Sequence, residues 1–237
     1  MPPRIVVHRC GSSFTGVPYR PPTQGPELDL VNEYIEGQIP EPPRGQALTV
    51  FVEPAIESGF PDLVAVYWSE SVARRWERCR AELTAGDIRV AHYLATGGAG
   101  DLGTLKIFFR SRLSYTLDRL HAAGLVYRRG EHWYARALSS IFAVRRLVAI
   151  EAKVTNLRDG LHQAIQNTWF ASESYLLLPC LPRRSELTGE ATRFGVGIAE
   201  RGRPLDHAGV RPRRQRIPLS YASWLFNEWA WRSACAA

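Results

Sequence analysis

The chain has 237 residues, of which 45% are hydrophobic and 11% aromatic, so it can bury one sizeable core or a core with a small second module. Its formal net charge of +7 indicates a polyanionic partner, and nucleic acid fits best, although a genome-wide preference for arginine gives the same excess. No apolar stretch approaches the length of a membrane span, and the N-terminus lacks the pattern of a secretion signal. Four separated cysteines without metal or disulfide spacing indicate reduced thiols in a cytoplasmic protein: Cys10, Cys79, Cys180 and Cys235.

The N-terminal part of the chain predicts a helix followed by a pair of strands. Residues 1–26 are rich in proline and glycine, and we expect them to wrap the domain or to be loosely ordered. A helix is predicted over 27–37, because apolar residues recur on one face, acidic residues occupy the first turn and a glycine ends it. Alternating apolar residues predict strands over 47–53 and 60–68, and the turn at Gly59 favours an antiparallel pair.

The middle of the chain changes to a helical period. The run Leu113-x-x-x-Leu117-x-x-Leu120-x-x-x-Gly124-Leu125-Val126, followed by a basic hairpin, resembles a winged helix-turn-helix. That resemblance implies a DNA-binding module of three helices and a two-stranded wing. The predicted elements are helices over 71–83, 87–95, 105–109 and 111–123, a flexible glycine-rich connection over 97–100, and strands over 125–127 and 132–135.

The same resemblance implies which residues contact DNA. Between Thr84 and Ala137 the chain has eight basic residues and four acidic ones, a balance that suits phosphate contacts. Solvated arginines on a helix face would give the same balance, and small modules of this kind also serve as protein–protein adaptors. The candidates lie on or beside the recognition helix and in the wing: Arg110, Arg112, Ser114, Tyr115, Arg119, Arg128, Arg129 and His132.

The last third of the chain returns to strand character. Residues 183–216 are dense in arginine and proline and are predicted to be mostly loop. The tryptophans of the final helix favour packing in the core, and the same aromatic helix is a candidate dimer interface. The predicted elements are strands over 147–154, 174–178 and 194–198, and helices over 159–170 and 219–233.

One of these strands contains a pair of charges. In 147–154, Glu151 and Lys153 are two residues apart and therefore lie on one face, while Ile150 and Ala152 lie on the other. Burying two charges in a core strand is costly unless they meet a partner. Only two of the 30 basic residues are lysines, and a desolvated lysine, unlike arginine, can release a proton. The strand is therefore a candidate active site, and the alternative is a satisfied ion pair at a strand end.

A second carboxylate can meet this strand. Asp62 lies near the start of the strand predicted over 60–68, just after a turn. If the two strands are neighbours, Asp62 and Glu151 converge with the backbone carbonyl of Ala152 on one divalent cation. Ligation by oxygen atoms suits Mg²⁺ or Mn²⁺. Such an ion would lower the pKa of a bound water, while Lys153 would orient the nucleophile and offset charge developing on phosphorus.

These residues and the order of the predicted elements resemble the PD-(D/E)XK nuclease superfamily, which has the restriction-endonuclease-like fold. The predicted core runs helix, three strands, helix and strand, which is the family's αβββαβ order. Asp62 matches the family's aspartate, and Glu151-Ala152-Lys153 matches its E-x-K signature. Gln163 matches by position a glutamine that many members carry on the next helix. Glu53 resembles an additional acid in the strand before the aspartate, and the sequence leaves Glu33, Glu36 and Glu57 open as alternatives.

The resemblance implies an α/β nuclease core that is interrupted by the winged helix-turn-helix. The core is predicted over 1–70 and 141–237, with the C-terminal helix in the second part, and the inserted module over 71–140. The insertion of about 80 residues between the two site strands departs from the family, in which they are normally close in sequence. Surface ends of strands tolerate insertions of this kind.

The expected activity is therefore Mg²⁺- or Mn²⁺-dependent endonucleolytic hydrolysis of phosphodiester bonds. Double-stranded DNA is the expected partner and no membrane is involved; a homodimer is also considered, since many such nucleases pair to cut both strands. One alternative is a non-catalytic winged-helix DNA-binding or regulatory protein that uses the nuclease fold as a scaffold. Another is an enzyme that processes RNA, since related folds also act on RNA.

Overall fold

The computed structural model describes residues 5–11, 16–57, 59–109, 112–182 and 186–235. Within these ranges the chain is a mixed α/β protein with one six-stranded sheet and one three-stranded sheet. None of the helices in the described ranges combines the length and the apolar character needed to cross a membrane.

Strands and helices are interspersed along the described parts of the chain. The strands are β1 (Ile5–His8), β2 (Gln46–Val52), β3 (Leu63–Ser69), β4 (Ala99–Asp101), β5 (Val126–Arg129), β6 (His132–Ala135), β7 (Val144–Ala152), β8 (Glu173–Leu178) and β9 (Gly197–Glu200). The α-helices are α1 (Pro26–Gly37), α2 (Glu70–Ala73), α3 (Ala85–Gly97), α4 (Leu102–Phe108), α5 (Leu113–Ala122), α6 (Leu138–Ile141), α7 (Leu157–Asn167), α8 (Glu186–Phe194) and α9 (Tyr221–Cys235). Short 3-10 helices cover Arg78–Glu82 and Leu205–His207.

The large sheet unites strands from both ends of the chain in the order β1-β2-β3-β7-β8-β9. The pairs β2–β3 and β3–β7 are antiparallel, and the predicted hairpin of the first two is confirmed. The remaining pairs are parallel, and α7 makes the crossover from β7 to β8. The sheet is therefore mixed, with three central antiparallel strands and parallel strands on both sides.

Alternation along β7 divides the core into two layers. Val148 and Ile150 belong to the layer that α1 covers, whereas Leu147 and Ala149 belong to the layer that α9 covers. Helix α7 packs on the α9 side, where its apolar face meets β8. Each large apolar side chain buried in these layers stabilises the fold by about 1.5–3 kcal/mol.

The middle of the chain forms a small module with the element order of a winged helix. Its three-stranded sheet has the order β4-β6-β5, and α3, α4 and α5 pack beside it. The flexible connection predicted over 97–100 is wrong, because Ala99 and Gly100 begin β4 and pair with β6. Gly100 allows this close approach: a Cβ there would lie 2.8 Å from the side chain of buried Leu105. A strand of three residues is too short to show alternation in the sequence.

The module shares its core with the large sheet. One hydrophobic cluster runs from Leu94 and Leu117 in the module through Trp224 of α9 to Val64 and Leu147 in the sheet. The tryptophans of α9 pack in this core, as the sequence predicts. Since these side chains are buried within the chain, they do not offer an aromatic dimer interface.

The single helix predicted over 71–83 is also wrong. Helix α2 ends at Ala73, and a 3-10 helix follows only at Arg78. The fully buried Arg80 side chain donates to both carboxylate oxygens of Glu228 in α9, at 2.8 and 2.6 Å. A buried guanidinium has to meet its acceptors. The need to bury Arg80 against Glu228 therefore determines the backbone here, and the spacing of apolar residues that predicts one long helix does not.

Residues 183–216 contain more regular structure than predicted. The part of this region that is described includes α8 and β9. The predicted strand over 194–198 is displaced to Gly197–Glu200, because α8 continues to Phe194. Arginines and prolines dominate the composition of this region. Leu187 and Ala191 on α8 nevertheless belong to a third apolar cluster, so these few apolar residues determine how α8 packs.

Candidate active site

Asp62 and Glu151 come together because their strands are neighbours. Strands β3 and β7 pair with Leu63 opposite Ile150. Asp62 directly precedes Leu63 and Glu151 directly follows Ile150, so the two acids lie across from each other at one end of the sheet. The two strands are therefore neighbours, which is what the predicted metal site requires.

The backbone of β7 holds the Asp62 carboxylate. The N–H of Ala152 donates to Asp62 Oδ2 at 2.8 Å. Burial raises the pKa of Asp62 above its ordinary value, while this hydrogen bond and the charge of Lys153 lower it in part. The Asp62 side chain is thus fixed to the strand that carries the other acid.

Glu151 is more deeply buried, with 3% of its surface exposed. Asn167 in α7 donates from Nδ2 to Glu151 Oε1 at 2.6 Å. Burial, followed by the negative charge of Asp62, raises the pKa of Glu151 well above its ordinary value, and the hydrogen bond from Asn167 opposes that shift. Two adjacent carboxyls of this kind oppose each other's ionisation, whereas a cation that joins them favours their charged forms.

Lys153 lies on the same face of the strand as Glu151, as alternation predicts, since both side chains contact α7. A Cβ at Gly160 in α7 would lie 2.3 Å from the Lys153 side chain, so glycine is needed for the helix to pack over the lysine stem. The Lys153 Nζ donates to Glu27 Oε2 in α1 at 3.2 Å. The Lys153 side chain therefore runs from α7, which packs on its stem, to the first turn of α1, which its ammonium group contacts.

Glu53 reaches the site from the end of β2. Its φ of 55° is left-handed, a conformation that costs a residue with a side chain about 1–3 kcal/mol. Arg20 donates from Nε to Glu53 Oε2 at 2.8 Å, and the backbone N–H of Glu53 donates to the Asp62 carbonyl at 3.1 Å. Burial and the charge of Asp62 raise the pKa of Glu53, while Arg20 lowers it. The strained backbone therefore turns the Glu53 carboxylate toward the other acids.

These side chains line one cleft of about 400 Å³. Gln163, exposed on α7, is also on its wall. Four carboxyl groups and two cationic groups border the cleft, which leaves an excess of two negative charges when all are ionised. The charged residues are Arg20, Glu27, Glu53, Asp62, Glu151 and Lys153.

The other acids considered from the sequence lie elsewhere. Glu33 pairs with Arg201, and Glu57 pairs with Arg89 of α3 at 2.6 Å. Glu36 is exposed on α1 and does not border the cleft among its described residues. Of the four acids left open, Glu53 is the one that borders the cleft.

Sequence reasoning missed three side chains of the site. Asn167 lies four positions after Gln163, so helical periodicity alone could have placed both on one face of α7. Glu27 and Arg20 carry no comparable signal, because they reach the cleft only through the packing of α1 and of the chain before it.

Of the eight predicted nucleic-acid residues, six are exposed, Arg119 is half-buried and one is not described. Arg110 lies outside the described residues. The exposed residues are available for contact just before α5, on α5 and in the wing: Arg112, Ser114, Tyr115, Arg128, Arg129 and His132. Among them, Arg128 also donates to the Gly130 carbonyl at 2.9 Å and pairs with Glu131.

Arg119 has a different environment. It donates to the backbone carbonyl of Glu82 and lies 3.4 Å from the Asp87 carboxylate. These contacts tie α5 to α3 and to the 3-10 helix before it. The contacts favour a structural role for Arg119 over the predicted one in DNA binding.

The predicted metal ligands are Asp62, Glu151 and the backbone carbonyl of Ala152, and their chemistry can be judged from the structure. Among the described residues, no group of three or more His, Cys, Asp or Glu side chains is arranged to hold a metal ion. The predicted set uses only two side chains, Asp62 and Glu151, and adds the Ala152 carbonyl. Buried carboxyl oxygens with raised pKa values are suitable donors for a hard divalent cation, because the cation favours their charged form.

No family model, curated protein or solved structure matches this chain. The cleft and the exposed basic residues around α5 and in the β5–β6 hairpin are therefore the features from which a function can be inferred.

Proposed function

We propose that the protein is a metal-dependent nuclease with a PD-(D/E)XK-type core, and that its winged-helix module binds DNA. The order of elements supports this proposal. Helix α1 is followed by the antiparallel strands β2, β3 and β7, and then by α7 and the parallel strand β8. This order is consistent with the αβββαβ arrangement that the resemblance to the restriction-endonuclease-like fold implies, with the winged-helix module between the second and third strands.

The observation that carries the proposal is the meeting of Asp62 and Glu151. The two residues belong to strands separated by the entire winged-helix module, yet they face each other at one end of the sheet. Lys153 and Gln163 border the same cleft. An ion pair formed only for stability would not need two adjacent buried acids whose charges oppose each other.

The cleft suits Mg²⁺ or Mn²⁺, because a divalent cation would balance its two excess negative charges. Asp62, Glu151 and the Ala152 carbonyl would hold the ion. A bound ion of this kind supplies a water of lowered pKa and draws charge from the phosphoryl oxygens.

The side chains of the cleft have separate roles in this proposal. In hydrolysis the attacking water gives up a proton as its oxygen bonds to phosphorus, the bond from phosphorus to the leaving sugar oxygen breaks, and that oxygen takes up a proton. We assign Lys153 to hold the attacking water and to offset the charge that develops on phosphorus. Gln163 orients the water or a phosphate oxygen, and Asn167 keeps Glu151 in its orientation.

Cleavage assays on supercoiled plasmid and linear DNA test this function. We expect cleavage in Mg²⁺ that stops with a chelator and falls about 10²-fold or more in Lys153→Ala and Asp62→Ala. Glu33→Gln is the matched control, because it removes a carboxylate of α1 that pairs with Arg201 and leaves the cleft intact. Cleavage that persists in both cleft variants contradicts the mechanism.

A second candidate is a non-catalytic DNA-binding protein on the same scaffold. The observation in its favour is that the described residues lack a cluster of three metal-ligating side chains. It predicts DNA binding that weakens with salt, needs no metal and leaves the DNA uncut. The same assays, combined with a binding measurement, separate the two functions.

A further inference from the structure

An aromatic side chain is exposed at the border of the cleft. Phe60 lies two positions before Asp62, lines the cleft and has 43% of its surface exposed. The loop that carries it is shaped by Gly59, whose φ of 133° is rarely adopted by a residue with a side chain, and by a bridge between Gly59 and Ile56. Phe60 therefore leaves part of its ring open to solvent beside the acids of the cleft.

Arg20 lies over this ring. Its guanidinium carbon is 5.1 Å from the centroid of Phe60. Arg20 is held there by its hydrogen bond to Glu53 and by its backbone N–H, which donates to the Glu53 carbonyl at 3.1 Å. A planar cation therefore lies over an aromatic ring, and the cation is hydrogen-bonded to one of the acids of the proposed site of hydrolysis.

We propose that Phe60 and Arg20 form a stacking platform for one unpaired nucleobase beside the scissile phosphate. This inference rests on the proposed nuclease function and names its substrate class: nucleic acid with a single-stranded nucleotide at the cut, as in an overhang or flap. Aromatic rings and arginine planes stack on bases that are unstacked from their neighbours, and such stacking is tolerant of sequence. In an intact duplex the base faces are occupied by neighbouring bases, so Phe60 would have nothing to stack on.

The arrangement around the loop supports a junction between duplex and single strand. The cleft of about 400 Å³ is within the range of small-ligand sites, which suits one nucleotide and not a double helix. Glu57, three residues before Phe60, pairs with Arg89 in α3 at 2.6 Å. The loop that carries the platform therefore touches the module that would hold the duplex.

The test measures affinity and cleavage with three substrates: a blunt duplex, a duplex with a single-stranded overhang, and the same overhang with one base removed at each position in turn. Affinity is measured by anisotropy with Ca²⁺ in place of Mg²⁺. At one overhang position, we expect removal of the base to weaken wild-type binding about tenfold. In Phe60→Ala the intact overhang should bind about tenfold more weakly, and the abasic substitution should then add no further loss.

Two further variants serve as a rescue and as a control for Phe60→Ala. Phe60→Tyr keeps the ring and should restore the preference for the overhang. Phe194→Ala is the matched control, since Phe194 is a similarly exposed phenylalanine, 45%, with Arg193 stacked over it on α8. The platform is refuted if Phe60→Ala behaves like Phe194→Ala, or if wild-type protein cuts blunt duplex as fast as the overhang.

Failure of the platform and failure of the nuclease function give different results. If the overhang preference depends on Phe60 but no substrate is cut with any divalent metal, the platform stands and the catalytic function fails. If Asp62→Asn abolishes cleavage while Phe60→Ala changes neither cleavage nor affinity, the nuclease stands and the platform fails.

Discussion

Replacing Glu151 with glutamine should stabilise the metal-free protein at alkaline pH. The substitution keeps the size of the side chain and leaves an oxygen that can accept the Asn167 hydrogen bond, but it removes a buried charge next to Asp62. The pKa of Glu151 is raised in the folded protein, so above its ordinary value of 4.5 the native state binds more protons than the unfolded state. The free energy of unfolding therefore falls as pH rises through the interval from 4.5 to the raised pKa.

The loss of unfolding free energy depends on how far the pKa of Glu151 is raised in the folded protein. Each unit by which the folded-state pKa exceeds the unfolded one lowers stability by about 1.4 kcal/mol at a pH above both values. For a domain of this length, that amount corresponds to roughly 3–6 °C in melting temperature. We expect Glu151→Gln to be more stable than wild type at pH 8 in a chelating buffer.

The assay is thermal and denaturant unfolding between pH 5 and pH 9, first with a chelator and then with Mg²⁺. Wild-type stability should decline with pH in the chelator and recover with Mg²⁺, whereas Glu151→Gln should show a flatter profile and a smaller gain from the ion. Glu186→Gln is the control, because Glu186 is an exposed acid paired with Arg158. A wild-type profile without pH dependence, or a Glu151→Gln protein less stable than wild type at pH 8, refutes the reasoning.

Three other predictions concern contacts seen in the structure. Arg80→Ala leaves buried Glu228 without its cationic partner and should lower the free energy of unfolding by about 3–5 kcal/mol, measured in urea. Asn167→Leu removes the hydrogen bond to Glu151 and should raise the Mg²⁺ concentration for half-maximal cleavage about tenfold or more. Arg112→Ala and Arg129→Ala should each weaken DNA binding equally for all sequences. Each should also reduce the slope of the logarithm of the binding constant against the logarithm of the salt concentration by about 1.

Each of these has a contradicting outcome. A loss below about 1 kcal/mol for Arg80→Ala would show that Glu228 finds other partners or water. An unchanged Mg²⁺ requirement in Asn167→Leu, at equal protein stability, would remove Asn167 from the site. A salt slope that stays constant in both Arg112→Ala and Arg129→Ala would show that the module does not bind DNA through this face.

The parts of the site that follow local rules could be predicted from the sequence. Strand alternation predicts that Glu151 and Lys153 share a face, and a turn before Asp62 predicts an acid at a strand start. The pairing of β3 with β7 is different in kind, because it joins segments on opposite sides of a module. Its prediction required the resemblance to a known fold, since no local preference encodes such a contact.

The remaining features arise from tertiary packing. Glu27 and Arg20 join the cleft only because α1 and the preceding chain fold over the sheet edge. Arg119 lies on the expected helix, but its donors turn toward Glu82 and Asp87, which hydrophobic periodicity does not reveal. Glu53 adopts a left-handed conformation that is unfavourable for its residue type, so local propensity argues against the observed turn.

Whether Asp62 and Glu151 hold one divalent cation is tested most directly by titrating the protein with Mn²⁺ and measuring the bound ion by calorimetry and electron paramagnetic resonance. We predict one bound ion at neutral pH, with affinity reduced about tenfold or more in both Asp62→Asn and Glu151→Gln and unchanged in Glu33→Gln. Wild-type protein that binds no Mn²⁺, or that binds it as tightly as both cleft variants do, would contradict the proposed site.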